Sequence, residues 1–305
     1  MNGSSARVKA ELEHKMVLTN GVNLHVVQTG AADSDLVVLL HGFPEFWYGW
    51  HKQIDALVDA GFRIWIPDQR GYNLSEKPAG LDAYRVEELV RDVLGLIDAA
   101  GQQKAYIVGH DWGAIVAWFM ALWYPERVEK LVIMNVPHPK IAFETIRSNP
   151  LQMLRSTYAG FFQIPIVPEL LLTFADGMVS AGTMLRSSKP GTFTDADIAE
   201  YTRAWKQPGA MTAMLNWYRA LAQRPPSFPD DVRVHIPTLM FWGKHDVALI
   251  PDMAQASIDL CGDGQLVFFE DATHWVQREK AREINPRMIE FFAEGSSQFT
   301  VDSSQ

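Results

Sequence analysis

Residues 105–123 constrain the fold more than any other stretch of the chain. Ala105-Tyr106-Ile107-Val108 is a short apolar run, Gly109-His110-Asp111-Trp112-Gly113 is a turn flanked by glycines, and Ala114 to Trp123 is an apolar run long enough for a helix. Strand, tight turn and helix in direct succession form the setting of a nucleophile elbow. Glycines two before and two after the central residue let strand and helix approach closely. The central side chain then stands exposed in a strained turn. Serine is its usual occupant; here it is Asp111. A carboxylate nucleophile attacks an electrophilic carbon and forms an ester, which must then be hydrolysed. The plainer alternative is a Gly-rich turn with a helix-capping aspartate, and the rest of the chain bears on that choice.

The flanking pattern alternates strands and helices. Val22 to Gln28, Leu36 to Leu40 and Phe62 to Ile66 read as strands, and Val86, Leu89, Val90, Val93, Leu94 and Ile97 recur at helical spacing within Tyr84 to Ala99. Leu131 to Met134 is a further strand. Such alternation implies a mostly parallel sheet covered on both faces. After Pro137-His138-Pro139 the pattern changes to a helical stretch rich in Met and aromatic residues that runs to Pro229. Strands resume at Thr238 to Trp242 and Leu266 to Phe269, with helices after each. The division expected is a core of residues 1–137 and 230–305 with a helical lid, or cap, at 138–229. Ser296 to Gln305 read as a loose tail.

Composition narrows the function classes. The 305 residues are 48% hydrophobic and 21% charged, as in ordinary globular chains. A net charge of −9 argues against nucleic acid or an anionic membrane as partner. A single cysteine, Cys261, excludes an internal disulfide, and no Cys/His cluster has zinc-ligand spacing. Met1 to Glu13 lacks an apolar signal segment, and no apolar run is long enough to span a bilayer. A cytoplasmic protein without cofactor or metal, monomer or homodimer, is the expectation.

Three further features fall where the elbow needs them. His41-Gly42-Phe43-Pro44-Glu45 follows strand Val37 to Leu40. An oxyanion hole takes one backbone N–H from the residue after the nucleophile and one from this earlier loop, which nominates Trp112 and Phe43. Gly243-Lys244-His245-Asp246 follows strand Thr238 to Trp242, placing Asp246 where a triad acid belongs. Asp271-Ala272-Thr273-His274-Trp275 follows the last strand and offers His274 as the base. Asp271 is a rival acid, ranked lower because it shares the loop of His274. The chain order nucleophile, acid, histidine is that of α/β-hydrolases.

With these motifs, and Asp68-Gln69-Arg70-Gly71-Tyr72 with Ser75, the sequence resembles the α/β-hydrolase fold epoxide hydrolases over nearly its whole length. Haloalkane and fluoroacetate dehalogenases are the close relatives within this Asp-nucleophile branch. In the epoxide hydrolases two lid tyrosines donate hydrogen bonds to the epoxide oxygen. Tyr158 matches the first by its spacing to Gln163, and Tyr218, in Leu215-Asn216-Trp217-Tyr218-Arg219, matches the second. Haloalkane enzymes commonly have Asn where Phe43 stands, and fluoroacetate enzymes have Arg where Trp112 stands; both departures count against dehalogenation. The resemblance implies hydrolysis of apolar or aromatic epoxides to vicinal diols through an ester on Asp111, with water activated by His274, itself oriented by Asp246. Phe43, Trp112, Trp217 and His41 are expected at the substrate site. Haloalkane dehalogenation is the alternative, and a non-catalytic receptor on the same scaffold is a further one.

Overall fold

The computed structural model describes residues 9–294. The expected tail, Ser296 to Gln305, lies outside the described residues. Eight strands form one sheet: β1 (Glu13–Thr19), β2 (Val22–Thr29), β3 (Leu36–Leu40), β4 (Arg63–Pro67), β5 (Ala105–His110), β6 (Val128–Met134), β7 (Thr238–Gly243) and β8 (Gly264–Phe269). Their spatial order is β1-β2-β4-β3-β5-β6-β7-β8. β1 and β2 pair antiparallel, as do β2 and β4, and every other pair is parallel.

The central strands are apolar because both faces are covered. Along β3 and β5, Val38, Leu40 and Ile107 face one layer while Val37, Leu39 and Val108 face the other, all buried. The first layer holds α2 (Val86–Ala99), α3 (Trp112–Trp123) and α10 (Asp252–Ile258); the second holds α1 (His51–Asp59) and α12 (Ala281–Ala293), reached through the short α11 (Val276–Glu279). α3 is apolar all round and nearly wholly buried, as a helix packed on two sides must be.

Between β6 and β7 lie six helices: α4 (Pro139–Ser148), α5 (Pro150–Arg155), α6 (Thr157–Phe161), α7 (Val167–Ser187), α8 (Asp195–Trp205) and α9 (Ala210–Gln223). Local signals start several of them. Pro139 and Pro150 occupy first turns, and the Asn149 side chain accepts from the N–H groups of Leu151 and Gln152. Thr194 and Asp197 form a capping box at α8. α7 is broken at Phe174–Gly177, where Ala175, Asp176 and Gly177 take φ of 45°, 63° and 83° in succession. Among the described residues no helix is long and apolar enough to cross a membrane.

Candidate active site

The parallel strands all deliver their C-terminal ends to one edge, where ligands bind in open α/β sheets. Asp111 follows β5 as the N-cap of α3, with φ 50° and ψ −123°. A Cβ on Gly113 would sit 2.1 Å from the Leu40 carbonyl oxygen, and one on Gly42 would sit 2.2 Å from the Asp111 Cβ. Only glycine permits this approach of β3, the turn and α3. The Phe43 N–H donates to Asp111 Oδ1 at 2.7 Å. Ala114 N–H and Ile115 N–H close the first helical turn onto the Asp111 carbonyl. Trp112 and Gly113, at the helix start, therefore have no intrahelical acceptor for their N–H groups.

His274 lies after β8 and Asp246 after β7. The imidazole spans two carboxylates: Nδ1 is 2.7 Å from Asp246 Oδ2, and Nε2 is 3.4 Å from Asp111 Oδ2. Burial opposes charge on all three groups, but their mutual attraction outweighs it. His274 is held well above its ordinary value by Asp246 and then Asp111, while both carboxyls are held below the usual range by His274. Asp246 is fixed further. Its Oδ1 accepts from Ala248 and Leu249 N–H at 2.7 and 3.0 Å, and its Oδ2 accepts from Asn135 Nδ2 at 2.7 Å. Asp271, the rival acid, pairs instead with Lys189 and Lys280 at 2.6 and 2.8 Å, its side chain 59% exposed.

Asp111 and His274 open into a cavity of about 430 Å³. Apolar side chains dominate its wall, among them Phe43, Phe162, Leu172, Met184 and Trp275. Tyr158 from α6 and Tyr218 from α9 line it as well, their ring centroids 6.0 Å apart and their planes crossed at 78°. Shielding from water around the hydroxyl, and then the Asp111 charge, raise both phenols above their ordinary value, although Tyr158 as a whole residue is 39% exposed and Tyr218 is buried, so both remain neutral O–H donors.

Three side chains expected at the substrate site stand outside the cavity wall among the described residues. Trp217 does not line the cavity; it is buried behind Trp112, their rings 5.5 Å apart, and donates Nε1–H to the Arg70 carbonyl at 2.9 Å. The Trp112 side chain likewise packs edge-on behind Tyr218, at 4.9 Å, rather than facing the cavity. His41 is fully buried in the frame: its Nε2 accepts from Gln69 N–H at 3.0 Å and its Nδ1 donates to the Gly42 carbonyl at 3.0 Å. A sequence shows that an aromatic adjoins the site, but not which way its ring turns.

Sequence reasoning also missed residues that the structure brings in. Asn135, after β6, sits at φ 54° and hydrogen-bonds the Asp246 carboxylate. His110 Nε2 donates to the His274 carbonyl at 2.8 Å, and its Nδ1 lies 3.1 Å from Glu45 Oε2. Glu45 Oε1 accepts from Tyr201 of α8 at 2.9 Å. Arg155, ending α5, lines the cavity and donates Nη1–H to the Asp246 carbonyl at 2.9 Å. Asn135, at the C-terminal end of a parallel strand, carried the one usable signal.

A family model described as alpha/beta hydrolase fold matches residues 35–281. The chain belongs to the alpha/beta hydrolase fold family. Other members of this family extend the match. The AB hydrolase superfamily protein YfhM of Bacillus subtilis (strain 168) is 45% identical over 281 residues, covering 91% of this chain and 96% of that one. Epoxide hydrolase 2 of Caenorhabditis elegans is 35% identical, covering 93% and 81%. A crystal structure of a variant epoxide hydrolase from Bacillus megaterium, complexed with its naphthyloxy-propanediol product, superposes with a TM-score of 0.82 at 31% identity, covering 91% and 99%. Several homologues and structural neighbours within this alpha/beta hydrolase fold family are thus epoxide hydrolases.

Proposed function

We propose that the protein is an epoxide hydrolase acting on apolar epoxides through an ester on Asp111. The observation that carries this reading is the juxtaposition of two neutral tyrosine hydroxyls and the Asp111–His274–Asp246 array around one apolar cavity. The names of the relatives support it, as does the diol product of the Bacillus megaterium neighbour. In this reading residues 138–229 are a cap over a core of residues 1–137 and 230–305, and the cap contributes the tyrosines.

Phe43 N–H occupies Asp111 Oδ1, which leaves Oδ2 as the attacking oxygen. Oδ2 forms a bond to an epoxide carbon as the C–O bond breaks, and Tyr158 or Tyr218 gives its proton to the departing oxygen. His274, oriented by Asp246, then takes a proton from water. The hydroxide attacks Cγ of Asp111, and the oxyanion meets the N–H groups of Phe43 and Trp112. Each such donor is worth about 3 kcal/mol in comparable sites. Collapse of the tetrahedral intermediate expels the diol as an alkoxide that takes the proton from His274, and the Asp111 carboxyl so formed gives its own proton back to the tyrosinate, which restores the carboxylate and the phenol together.

His274→Gln separates the two halves, because only the second needs the base. Mixed with styrene oxide, this variant is expected to gain the mass of the epoxide and hold it while diol formation stops. Loss of turnover with no adduct would place His274 earlier in the reaction or the nucleophile elsewhere. Measuring halide release from 1-haloalkanes alongside diol distinguishes dehalogenation.

A further inference from the structure

One charged side chain in the cavity wall has no part in this chemistry. Among the described residues Arg155 is the sole cation there besides His274, in a wall otherwise mostly apolar or hydroxylic. A guanidinium is always charged and presents five donors. Among the described residues Arg155 makes one hydrogen bond, from Nη1 to the Asp246 carbonyl, and no ion pair. Among the described residues the three arginines that are buried outright each meet a carboxylate. Arg70 pairs with Asp92 at 2.6 Å, Arg219 with Glu169 at 2.7 Å and Arg278 with Asp197 at 2.9 Å. A half-buried cation beside apolar walls costs free energy unless an anion meets it. Its remaining fork of N–H groups matches a carboxylate in shape.

We propose that Arg155 forms an anion subsite in this cavity, and that its preferred ligands are apolar molecules bearing a carboxylate. Resting on the epoxide hydrolase reading, the substrate class becomes carboxylate-bearing epoxides with the two groups a short link apart. Closeness follows from position. Arg155 ends α5 three residues before Tyr158, and it bonds to the backbone of Asp246, whose side chain holds His274. The carboxylate and the ring oxygen are thus met by neighbouring turns of the same chain segment. Arg155 also offsets the repulsion that a second carboxylate would suffer from Asp111. A 3-arylglycidate has this layout.

The test compares 3-phenylglycidate with 3-phenylglycidol, which shares its skeleton and lacks its charge. Wild type is expected to favour the acid by on the order of tenfold or more in kcat/KM, mainly through KM. In Arg155→Met that ratio should fall to one or below, and Arg155→Lys should retain part of it. A strut that merely braces Asp246 would slow both substrates alike and leave the ratio unmoved, which overturns the subsite, as does a wild type without preference. Binding separates this failure from that of the epoxide reading. Cinnamate, titrated calorimetrically against cinnamyl alcohol, should bind wild type more tightly and lose that advantage in Arg155→Met, whether or not any epoxide is opened. No difference between acid and alcohol would sink the subsite by itself.

Discussion

Asp111 holds a backbone conformation that few non-glycine residues adopt, at a cost of about 1–3 kcal/mol. The turn is kept by the close seating of Gly113 against Leu40 and by the first bonds of α3. Its partner acid is tested by a ranking. Asp246→Asn should slow ester hydrolysis by about 100-fold or more, since the imidazole loses both orientation and counter-charge. Asp271→Asn, a surface change, should leave it within a factor of about two. Single-turnover decay of the adduct measures both, and the reverse order would mean that the wrong carboxylate has been assigned. Under the proposed mechanism the pH dependence follows from the directions of shift. Asp111 is held low, so its attack persists until the medium is acidic enough to protonate a depressed carboxyl. Water activation needs neutral His274, which two carboxylates hold protonated. Ester formation neutralises Asp111 and removes one of them. Hydrolysis therefore weakens as pH falls through the remaining raised value, while alkylation continues. The adduct on the wild type should accumulate more at about pH 5 than at about pH 8, read by quenched-flow mass spectrometry. More adduct at high pH would contradict this.

At the scale of elements, the strands leading to the site were legible because each is a short apolar run ending in turn residues. β3, β5 and β7 are buried on both faces, so their sequences read without interruption. β1 was not legible. It is an edge strand whose Met16 and Leu18 face solvent, so no buried stripe marks it. The break in α7 was equally hidden, because nothing short-range in Phe174-Ala175-Asp176-Gly177 demands three left-handed residues. The loop residues Asp246 and His274 could be picked out from their places after strands; Asn135 shares that placement, but its bond to Asp246 and the bond of Arg155 to the same residue span distant parts of the chain, which no local pattern encodes. The tyrosines belong to this scale because α6 and α9 bring them from either end of the insertion. Tyr158→Phe and Tyr218→Phe should each slow ester formation by about 10- to 100-fold, and the pair together should nearly abolish epoxide opening. Pre-steady-state adduct formation reports it. A double variant opening epoxides at the wild-type rate would reduce both rings to packing.

Across the whole molecule, the insertion is fastened by buried polar contacts rather than by apolar packing alone. Tyr201 donates to Glu45, Trp205 Nε1–H donates to the Pro44 carbonyl at 2.6 Å, and Tyr48 donates to Asp197 at 2.8 Å. Glu45 in turn meets His110, which touches the backbone of His274. Tyr201→Phe leaves a buried carboxylate oxygen short of one donor, a loss of about 1–3 kcal/mol, and should lower Tm by about 2–10 °C in a chain of this size. Differential scanning calorimetry gives the value, and an unchanged Tm would show that the contact does not fasten the insertion. The path of the chain carries the last consequence. β6 and β7 are neighbours, paired Leu131 to Thr238 through Met134 to Phe241, so everything between them is one uninterrupted excursion. Asp111 lies wholly before it, and Asp246 and His274 wholly after. Recombination that exchanges this single block of gene, with two cuts, replaces most of the walls around an incoming molecule and leaves those three side chains on untouched strand ends. Heredity can therefore vary what enters the cavity at a different pace from what happens to it there.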